Sequence, residues 1–345
     1  MSIKNPVVAV AGATGAVGRE ILLVLEQRGF PAARVKALAS ARSVGRKIDY
    51  DGPGATGTHP SGGGYVEVEE LTTESFRDVD IALFSCGADQ SKIFRQAVVD
   101  SGAIMVDNSS AFRMEDDVPL VVPEVNGEDV SWHKGVIANP NCSTIQLVMV
   151  LDALAKLAPL KRVICSTYQA ASGAGAAAME ELYTQTRQFL GDEPLTIERF
   201  AHQLAFNCIP QIDVFREDGY TKEEWKMVVE SQKILHNPDL AIAVTCIRVP
   251  SLRCHAESVN VEFSAPVSLE AARAALEDAP GVLIMDDPAS RLYPMPALLA
   301  GTDDVYVGRL RKDPSVAYGL AFWCVADQLR KGAALNAVQI AELLV

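Results

Sequence analysis

The sequence lacks the patterns that mark disulfide-bonded, zinc-binding and membrane-spanning proteins. Its seven cysteines have no C-x-x-C spacing and its five histidines form no H-x-x-x-H pair, so we expect reduced thiols and no metal. No stretch approaches the roughly 18 apolar residues of a membrane span, and no basic, apolar leader opens the chain. These absences predict a soluble, cytoplasmic protein with no membrane partner.

Positive charge is also in deficit. The chain has 31 lysines and arginines against 44 aspartates and glutamates, a net charge of −13 at pH 7. That balance argues against nucleic acid as a partner, although a few local arginines can still bind a small anion. Hydrophobic residues make up 49% of the 345 positions, which is enough for two globular domains.

The first part of the chain alternates short apolar strands with amphipathic helices, and this alternation predicts a Rossmann-type, doubly wound α/β domain. A glycine-rich stretch at 52–64 is expected to be a mobile loop or the tip of a hairpin. The strands are expected at 7–11, 35–39, 81–86 and 104–107, and the helices at 19–28 and 90–101.

After residue 135 the pattern changes to long alternating stretches, which predict an α+β domain with a mainly antiparallel sheet. Residues 326–344 are expected to form one more helix, interrupted at Gly332, that returns to the first domain. The predicted domains are therefore 1–134 with 326–345, and 135–325. In the second domain strands are expected within 162–167 and 241–263, and helices at 175–191, 222–236 and 269–278.

A glycine-rich turn follows the first predicted strand and opens a helix. In this setting glycines permit a tight turn and let a pyrophosphate approach backbone N–H groups. The G-x-x-G-x-x-G spacing differs by one residue from the common dinucleotide fingerprint, and no Lys-Ser/Thr follows, as it would in a Walker A loop. We predict a dinucleotide site formed by Gly12, Thr14, Gly15, Ala16, Val17 and Gly18.

The second predicted strand ends without an acidic residue. NAD-binding domains of this kind usually carry Asp or Glu there for the ribose 2′-hydroxyl. This chain instead has an arginine between serines, which suits a 2′-phosphate. We therefore predict NADP as the cofactor, with the alternative that the arginine is an ordinary surface charge. The predicted contacts are Ser40, Ala41, Arg42 and Ser43.

Cys142 stands where a polar turn gives way to the apolar run 145–157, a predicted buried helix. Asn141 and Ser143 beside it are helix-capping residue types. A thiol at a helix N-terminus lies among unpaired N–H groups and the positive end of the helix dipole, which favour the thiolate. The same N–H groups can hold a developing oxyanion. Cys142 is thus a candidate nucleophile, and a buried structural cysteine is the alternative.

Five segments together resemble the aspartate-semialdehyde dehydrogenase family, in the family's order and over nearly the whole chain. The resemblance implies NADPH-dependent reduction of 4-aspartyl phosphate to aspartate 4-semialdehyde, through a cysteine thioester and with release of phosphate, in lysine, threonine, methionine and diaminopimelate biosynthesis. The segments are Thr14-Gly15-Ala16-Val17-Gly18, Asn108-Ser109-Ser110-Ala111-Phe112-Arg113, Asn139-Pro140-Asn141-Cys142, Tyr168-Gln169-Ala170-Ala171-Ser172-Gly173-Ala174-Gly175, and Arg248-Val249-Pro250 through His255.

The resemblance implies three catalytic residues. Cys142 is the nucleophile, His255 its acid/base partner, and Gln169 orients the acyl group. Histidine suits proton transfer because its pKa lies nearest neutrality, although a lone histidine is more often structural. Cys254 is a poor rival nucleophile, since neighbours on a strand point to opposite faces.

It also implies substrate contacts. Arg248 holds the α-carboxylate, Arg113 the leaving phosphate, and Asn141 supports the cysteine and the phosphate; an arginine fork binds such groups in a bidentate manner.

Glu223 and Lys226 stand three apart on one predicted helix face. The resemblance implies that Glu223 receives the substrate ammonium, with Glu224 as the alternative, and that Lys226 meets phosphate or carboxylate. On the residues alone, a solvent-facing ion pair is the preferred interpretation.

Ser172 and Gly173 are expected to admit the nicotinamide half of the cofactor. Gln328 matches another nicotinamide-end position, where many members of the family have asparagine.

The expected assembly is a homodimer or homotetramer formed through the sheet of the second domain. Two other functions stay open: a related acyl-phosphate reductase, such as N-acetyl-glutamyl-phosphate reductase or a glyceraldehyde-3-phosphate dehydrogenase, and a non-catalytic dinucleotide-binding protein. The candidate amine contact at Glu223 favours a free amine over an acetylated one.

Overall fold

The chain divides into two units in a computed structural model that describes residues 3–345. The first unit runs to Asn141 and also includes Ala333–Val345, and the second is Cys142–Gly332. The second domain predicted from sequence, 135–325, is displaced from this unit by seven residues at each end.

The described residues form fourteen strands and nine α-helices. The strands are β1 (Val7–Ala11), β2 (Arg34–Ala39), β3 (Lys47–Asp49), β4 (Gly57–Thr58), β5 (Gly64–Glu70), β6 (Ile81–Phe84), β7 (Ile104–Asp107), β8 (Val136–Ala138), β9 (Leu160–Gln169), β10 (Ala241–Arg248), β11 (His255–Phe263), β12 (Val282–Ile284), β13 (Val305–Asp313) and β14 (Gly319–Ala326). The helices are α1 (Ala16–Gln27), α2 (Ala88–Asp100), α3 (Pro123–Asn126), α4 (Cys142–Ala155), α5 (Ala176–Leu190), α6 (Lys222–Ile234), α7 (Leu269–Glu277), α8 (Pro296–Leu299) and α9 (Leu335–Glu342).

The first unit is built on one large sheet in the order β3-β5-β2-β1-β6-β7-β8, with β4 paired to β5. The six strands β5, β2, β1, β6, β7 and β8, in their order across the sheet, are all parallel. This is the strand order of dinucleotide-binding doubly wound folds. β1 is apolar on both faces because helices must cover both sides of such a sheet. Residues of β1, α1 and α9 pack together in one buried hydrophobic core. The predicted α/β fold is confirmed.

The second unit carries a six-stranded sheet in the order β10-β9-β11-β14-β13-β12. Its three central pairings are antiparallel, and β10 and β12 pair in parallel at the two edges. Along β11 every second residue is buried, so one face lies on the core. The expected α+β unit with a mainly antiparallel sheet is confirmed.

Several predicted boundaries are wrong. The helix predicted at 19–28 begins at Ala16 because the turn ends at Gly15. The strands expected within 241–263 are present as β10 and β11, but β10 pairs with β9 in parallel and not in the expected antiparallel direction. Residues 326–329 are not helical: Ala326 ends β14 opposite His255, and the helix begins with a π-helical turn at Arg330–Ala334, around Gly332.

The glycine-rich stretch at 52–64 includes β4 and forms a hairpin with β5. Of the seven cysteines, Cys208 is exposed, while four are buried. None of the helices in the described part of the chain is long and apolar enough to cross a membrane.

Candidate functional site

The glycine turn of the first unit leaves no room for side chains. Gly12 has a φ of +86°, and a Cβ on it would overlap the Ser85 carbonyl oxygen. A Cβ on Gly18 would overlap the Gly12 carbonyl oxygen. Among the described residues no side chain caps the N-terminus of α1, so its backbone N–H groups are available to an anion.

A cavity of about 520 Å³ lies over this turn. Of the predicted cofactor residues, five line it: Gly12, Thr14, Gly15, Ser40 and Ala41. Ala16, Val17 and Gly18 belong to the first turn of α1 behind it.

Arg42 follows the lining residue Ala41 in the turn after β2 and is exposed, and Ser43 beside it is buried. Glu70 also lines the cavity, because β5 pairs with β2 and ends beside Ala39. Sequence order alone gave no sign of this acidic neighbour.

Two predicted substrate residues, Arg113 and Asn141, also belong to the first unit, and both are buried. Arg113 is held by backbone carbonyls: its Nε donates to Asn139 O at 2.9 Å and its Nη2 to Asn108 O at 2.8 Å. Since the guanidinium is fixed in place before any ligand binds, it is pre-organised to meet an anion.

In the second unit, Cys142 is the first residue of α4. It is half-buried, whereas nearly all the rest of the helix is buried, so the sulfur is not sealed in the core. Gly332 packs against it: a Cβ on Gly332 would lie 3.0 Å from Cys142 Cβ. The sequence pattern indicates only a helix interruption at Gly332 and gives no sign of this contact.

His255 begins β11 and is fully buried. Its Nδ1 accepts the Ala170 N–H at 3.1 Å, which places the proton of the neutral ring on Nε2. Nε2 itself has no hydrogen-bond partner among residues 3–345. Burial, and then the charge of Arg248, hold the pKa of His255 well below its usual value, against a weaker opposing effect of the Cys254 carbonyl. At neutral pH His255 is therefore an uncharged ring with a free N–H.

Arg248 and His255 meet at Gly173. A Cβ on Gly173 would lie 3.0 Å from Arg248 Nη1 and 3.1 Å from His255 Cε1, so glycine is required there. Arg248 is buried, and its Nη1 donates to Ala170 O at 2.6 Å. Burial lowers the pKa of Arg248, while Glu223 and Cys142 oppose this effect. The arginine thus lies within electrostatic reach of the carboxylate, the thiol and the imidazole.

The two glutamates at the start of α6 have different roles. Glu224 caps the helix: its Oε2 accepts from Thr221 N at 2.7 Å and its Oε1 from Cys246 N at 3.0 Å, so both oxygens are occupied. Glu223 is buried, accepts from Lys226 Nζ at 3.2 Å, and lies 3.5 Å from Gln169 Nε2.

Lys226 also donates to Asp213 Oδ2 at 2.8 Å. The Lys226 side chain is 26% exposed and that of Glu223 only 9%, so this ion pair is only partly solvent-facing.

Gln328 organises the turns around His255. Its Oε1 accepts from Cys254 N at 2.8 Å, and its Nε2 donates to Ser172 Oγ. Cys254 has a φ of +70°, a strained conformation for a residue with a side chain. Both ends of the Gln328 amide are thus used within the second unit, where it fixes the backbone on either side of the imidazole.

The structure therefore groups most of the predicted chemistry within one unit. Cys142, Gln169, Ser172, Gly173, Glu223, Lys226, Arg248, His255 and Gln328 all belong to the second unit, and Arg113, Asn141 and the cofactor turn belong to the first.

Comparisons with known proteins agree with this arrangement. The family model described as "Semialdehyde dehydrogenase, NAD binding domain" matches residues 7–133, and "Semialdehyde dehydrogenase, dimerisation domain" matches residues 151–331. Aspartate-semialdehyde dehydrogenase of Aquifex aeolicus is 50% identical over 342 residues, covering 98% of this chain and 97% of its own. The Bacillus subtilis protein of the same name is 48% identical, covering 98% and 96%.

A solved structure is similar over the same length. The crystal structure of aspartate semialdehyde dehydrogenase II complexed with ASA from Vibrio cholerae superposes with a TM-score of 0.93 at 43% identity, covering 99% of this chain and 98% of its own.

Proposed function

This chain belongs to the aspartate-semialdehyde dehydrogenase family, and from that premise we propose that it reduces 4-aspartyl phosphate to aspartate 4-semialdehyde with NADPH. The observation that carries the proposal is the grouping of Cys142, Arg248 and His255 in the second unit, with His255 and Arg248 packed on Gly173. A nucleophile, a cation for a carboxylate and an N–H donor are what this reaction needs.

The acyl-transfer step falls to Cys142. Its thiolate attacks the acyl carbon, a C–S bond forms, and the C–O bond to phosphate breaks with the electron pair leaving on phosphate. N–H groups at the start of α4 and the His255 Nε2–H are donors for the oxyanion that develops on the carbonyl. The neutral tautomer favours this donor role over that of a base at Nε2, because Nδ1 is occupied by the Ala170 N–H.

When bound, NADPH supplies the hydride that reduces the resulting thioester. The oxygen of the reduced carbon then re-forms a carbonyl, the C–S bond breaks, and the sulfur regains its electron pair. The residues of the first unit fit this cofactor: the glycine turn leaves space for a pyrophosphate at the start of α1, and no acid ends β2.

Substrate recognition follows from charge. We assign the α-carboxylate to Arg248, the ammonium to Glu223, and the phosphate to Arg113, with Asn141 beside the nucleophile. Lys226 completes the anion contacts, and Gln169 orients the acyl group. Glu223 is preferred over Glu224 because both Glu224 oxygens already accept backbone N–H groups.

The direct test is the reverse reaction. Aspartate semialdehyde, phosphate and NADP should give reduced NADP, followed by its absorbance, and omission of phosphate should abolish the signal. Turnover of the N-acetylated glutamate homologue, with none of the free amine, would instead identify a related acyl-phosphate reductase. Nucleotide binding with no turnover of either would identify a non-catalytic protein.

Arg42 is expected to select NADP over NAD. Arg42→Ala should raise the KM for NADP about 10- to 100-fold and leave the KM for NAD nearly unchanged, because only NADP offers a 2′-phosphate to the guanidinium. Steady-state kinetics with both nucleotides measures this. Arg34→Ala is the matched control, since Arg34 is an exposed arginine at the opposite end of β2. Equal effects of the two variants would make Arg42 an ordinary surface charge.

We further propose a homodimer formed through the second unit, which carries the family's dimerisation domain, without nucleic acid or membrane partners. We also propose a cytoplasmic location, which the seven scattered cysteines, none of them placed in a disulfide, support.

A further inference from the structure

Arg113 is held by two segments of the first unit, each of which directly follows a strand. Its Nη2 donates to the carbonyl of Asn108, the residue after β7, and its Nε donates to the carbonyl of Asn139, the residue after β8. Because β7 and β8 are parallel, both carbonyls lie at the carboxyl edge of the sheet, where doubly wound folds bind their ligands. The orientation of the guanidinium therefore depends on how firmly these two carbonyls are held.

The two carbonyls are anchored in different ways. Asn108 is tied to the end of β6: its backbone N donates to Phe84 O at 3.0 Å and its Nδ2 donates to the same oxygen at 2.9 Å. Asn139 is tied to the sheet only through its backbone N, which donates to Asp107 O at 2.8 Å. Its side chain is bound from outside the sheet, because its Oδ1 accepts from Asn336 Nδ2 at 2.7 Å.

Asn336 lies on α9 and joins two neighbouring segments of the first unit. Its Nδ2 also donates to Val121 O at 2.9 Å, so the two hydrogens of the amide are divided between two acceptors. Val121 in turn donates its N–H to Ala138 O at 3.1 Å. Asn336 is fully buried and Asn139 is 1% exposed, so no water competes for these bonds.

Asparagine is an unusual choice for this position of the helix. The other buried residues of α9 are apolar, asparagine has a lower helix propensity than they have on average, and a buried amide is tolerated only when it is hydrogen-bonded. The bonds of Asn336 lead to the residue whose carbonyl holds Arg113. Helix packing and the orientation of the guanidinium are thus connected by one side chain.

We propose that Asn336 is a positioning residue for Arg113: through Asn139 it fixes the carbonyl that holds the guanidinium, and so it sets the affinity of the protein for phosphate. This inference rests on the proposed role of Arg113 as the phosphate contact. It also gives the C-terminal segment a function, since the chain returns to the first unit for α9, 197 residues after Asn139.

Kinetics of the reverse reaction test the proposal. Asn336→Ala should raise the KM for phosphate about 5- to 20-fold, while kcat and the KM values for aspartate semialdehyde and NADP change less than about twofold, because a guanidinium that is no longer pre-organised binds its anion less well. Asn139→Ala removes the acceptor of the same side-chain bond but keeps the backbone carbonyl, and it should raise the KM for phosphate in the same way.

Gln339→Ala is the matched control. Gln339 is on the same helix, and its Nε2 donates to Glu124 Oε1 on α3 at 2.7 Å, so the variant removes an amide hydrogen bond that does not lead to Arg113. Both Asn336→Ala and Gln339→Ala should lower Tm, because each leaves an acceptor without its donor, but only Asn336→Ala should raise the KM for phosphate. An unchanged KM for phosphate in Asn336→Ala, or an equal rise in Gln339→Ala, would overturn the proposal.

Inorganic phosphate alone provides a readout that needs no turnover. Phosphate should raise the Tm of the wild-type protein above its value in sodium chloride of equal ionic strength, because an anion bound to the folded state stabilises it. Arg113→Ala should remove this rise, and Asn336→Ala should reduce it by about half or more. A full rise in Asn336→Ala with none in Arg113→Ala would overturn the inference and leave the proposed function intact. No rise in the wild-type protein would overturn the phosphate assignment of Arg113, and this inference with it, whichever substrate the protein reduces.

Discussion

Replacing Cys142 with serine is expected to lower kcat by about 10⁴-fold or more, because a hydroxyl in the same position is a far weaker nucleophile and forms an ester in place of a readily reduced thioester. The side chain is nearly isosteric and half-buried, so the fold should be unaffected. NADP binding should also persist, because the cofactor turn belongs to the other unit. Initial rates in the reverse assay and a fluorescence titration with NADPH measure the two effects.

Cys208→Ser is the matched control, since Cys208 is an exposed cysteine of the same unit, and full activity is expected. A stronger form of the test uses the acylated protein. Incubation with the acyl phosphate in the absence of reduced cofactor should add the mass of an aspartyl group to wild type and not to Cys142→Ser. If Cys142→Ser retained more than about 1% of wild-type kcat, the covalent mechanism would fail.

The fold was predictable where local pattern and global topology agree. A βαβ unit is indicated by apolar β1, the glycine turn and the amphipathic α1, since each is locally consistent with that fold. The sequence could not place β5 beside β2, because strand order depends on long-range pairing. For that reason the sequence did not predict that Glu70, thirty residues after Ser40, lines the cofactor cavity.

The C-terminal segment shows a different failure. Ala326 lies in an alanine- and leucine-rich stretch with high helix propensity, yet it ends β14 opposite His255. Tertiary pairing outweighed local propensity, as it usually does where the two compete. The sequence indicates that Gly332 interrupts a helix. Its close approach to Cys142 depends on a tertiary contact that no local pattern encodes.

The residue types of the candidate site could be predicted from the sequence, but the separate roles of neighbouring residues could not. The resemblance implies Glu223 as the amine contact and leaves its neighbour Glu224 as the alternative, and the hydrogen bonds that Glu224 accepts from Thr221 N and Cys246 N now separate the two.

His255 provides the second large effect. His255→Ala is expected to lower kcat about 10²- to 10³-fold, the usual cost of removing one oxyanion donor, with a smaller change in KM. His255→Gln should recover part of this loss, because a glutamine amide can offer an N–H near the position of Nε2. Stopped-flow measurement of the acylation and hydride-transfer steps would locate the loss. If Gln were as inactive as Ala, proton transfer and not hydrogen bonding would be the role of this residue.

The pH dependence distinguishes the same two roles. Because burial and Arg248 hold the pKa of His255 well below 6.5, the ring is already neutral at pH 6.5, and kcat/KM should show no inflection from this group near that pH. The lowered pKa of His255 also makes the free energy of unfolding depend on pH. The unfolded chain takes up the proton near pH 6.5 and the folded chain only at lower pH, so the free energy of unfolding falls as pH decreases below 6.5, by up to about 1.4 kcal/mol per pH unit. Denaturant unfolding of wild type and His255→Gln from pH 7 to 5 measures this, and the variant should lack that part of the slope. An inflection in kcat/KM near 6.5 that His255→Gln abolishes would mean that the ring titrates normally and works as a base.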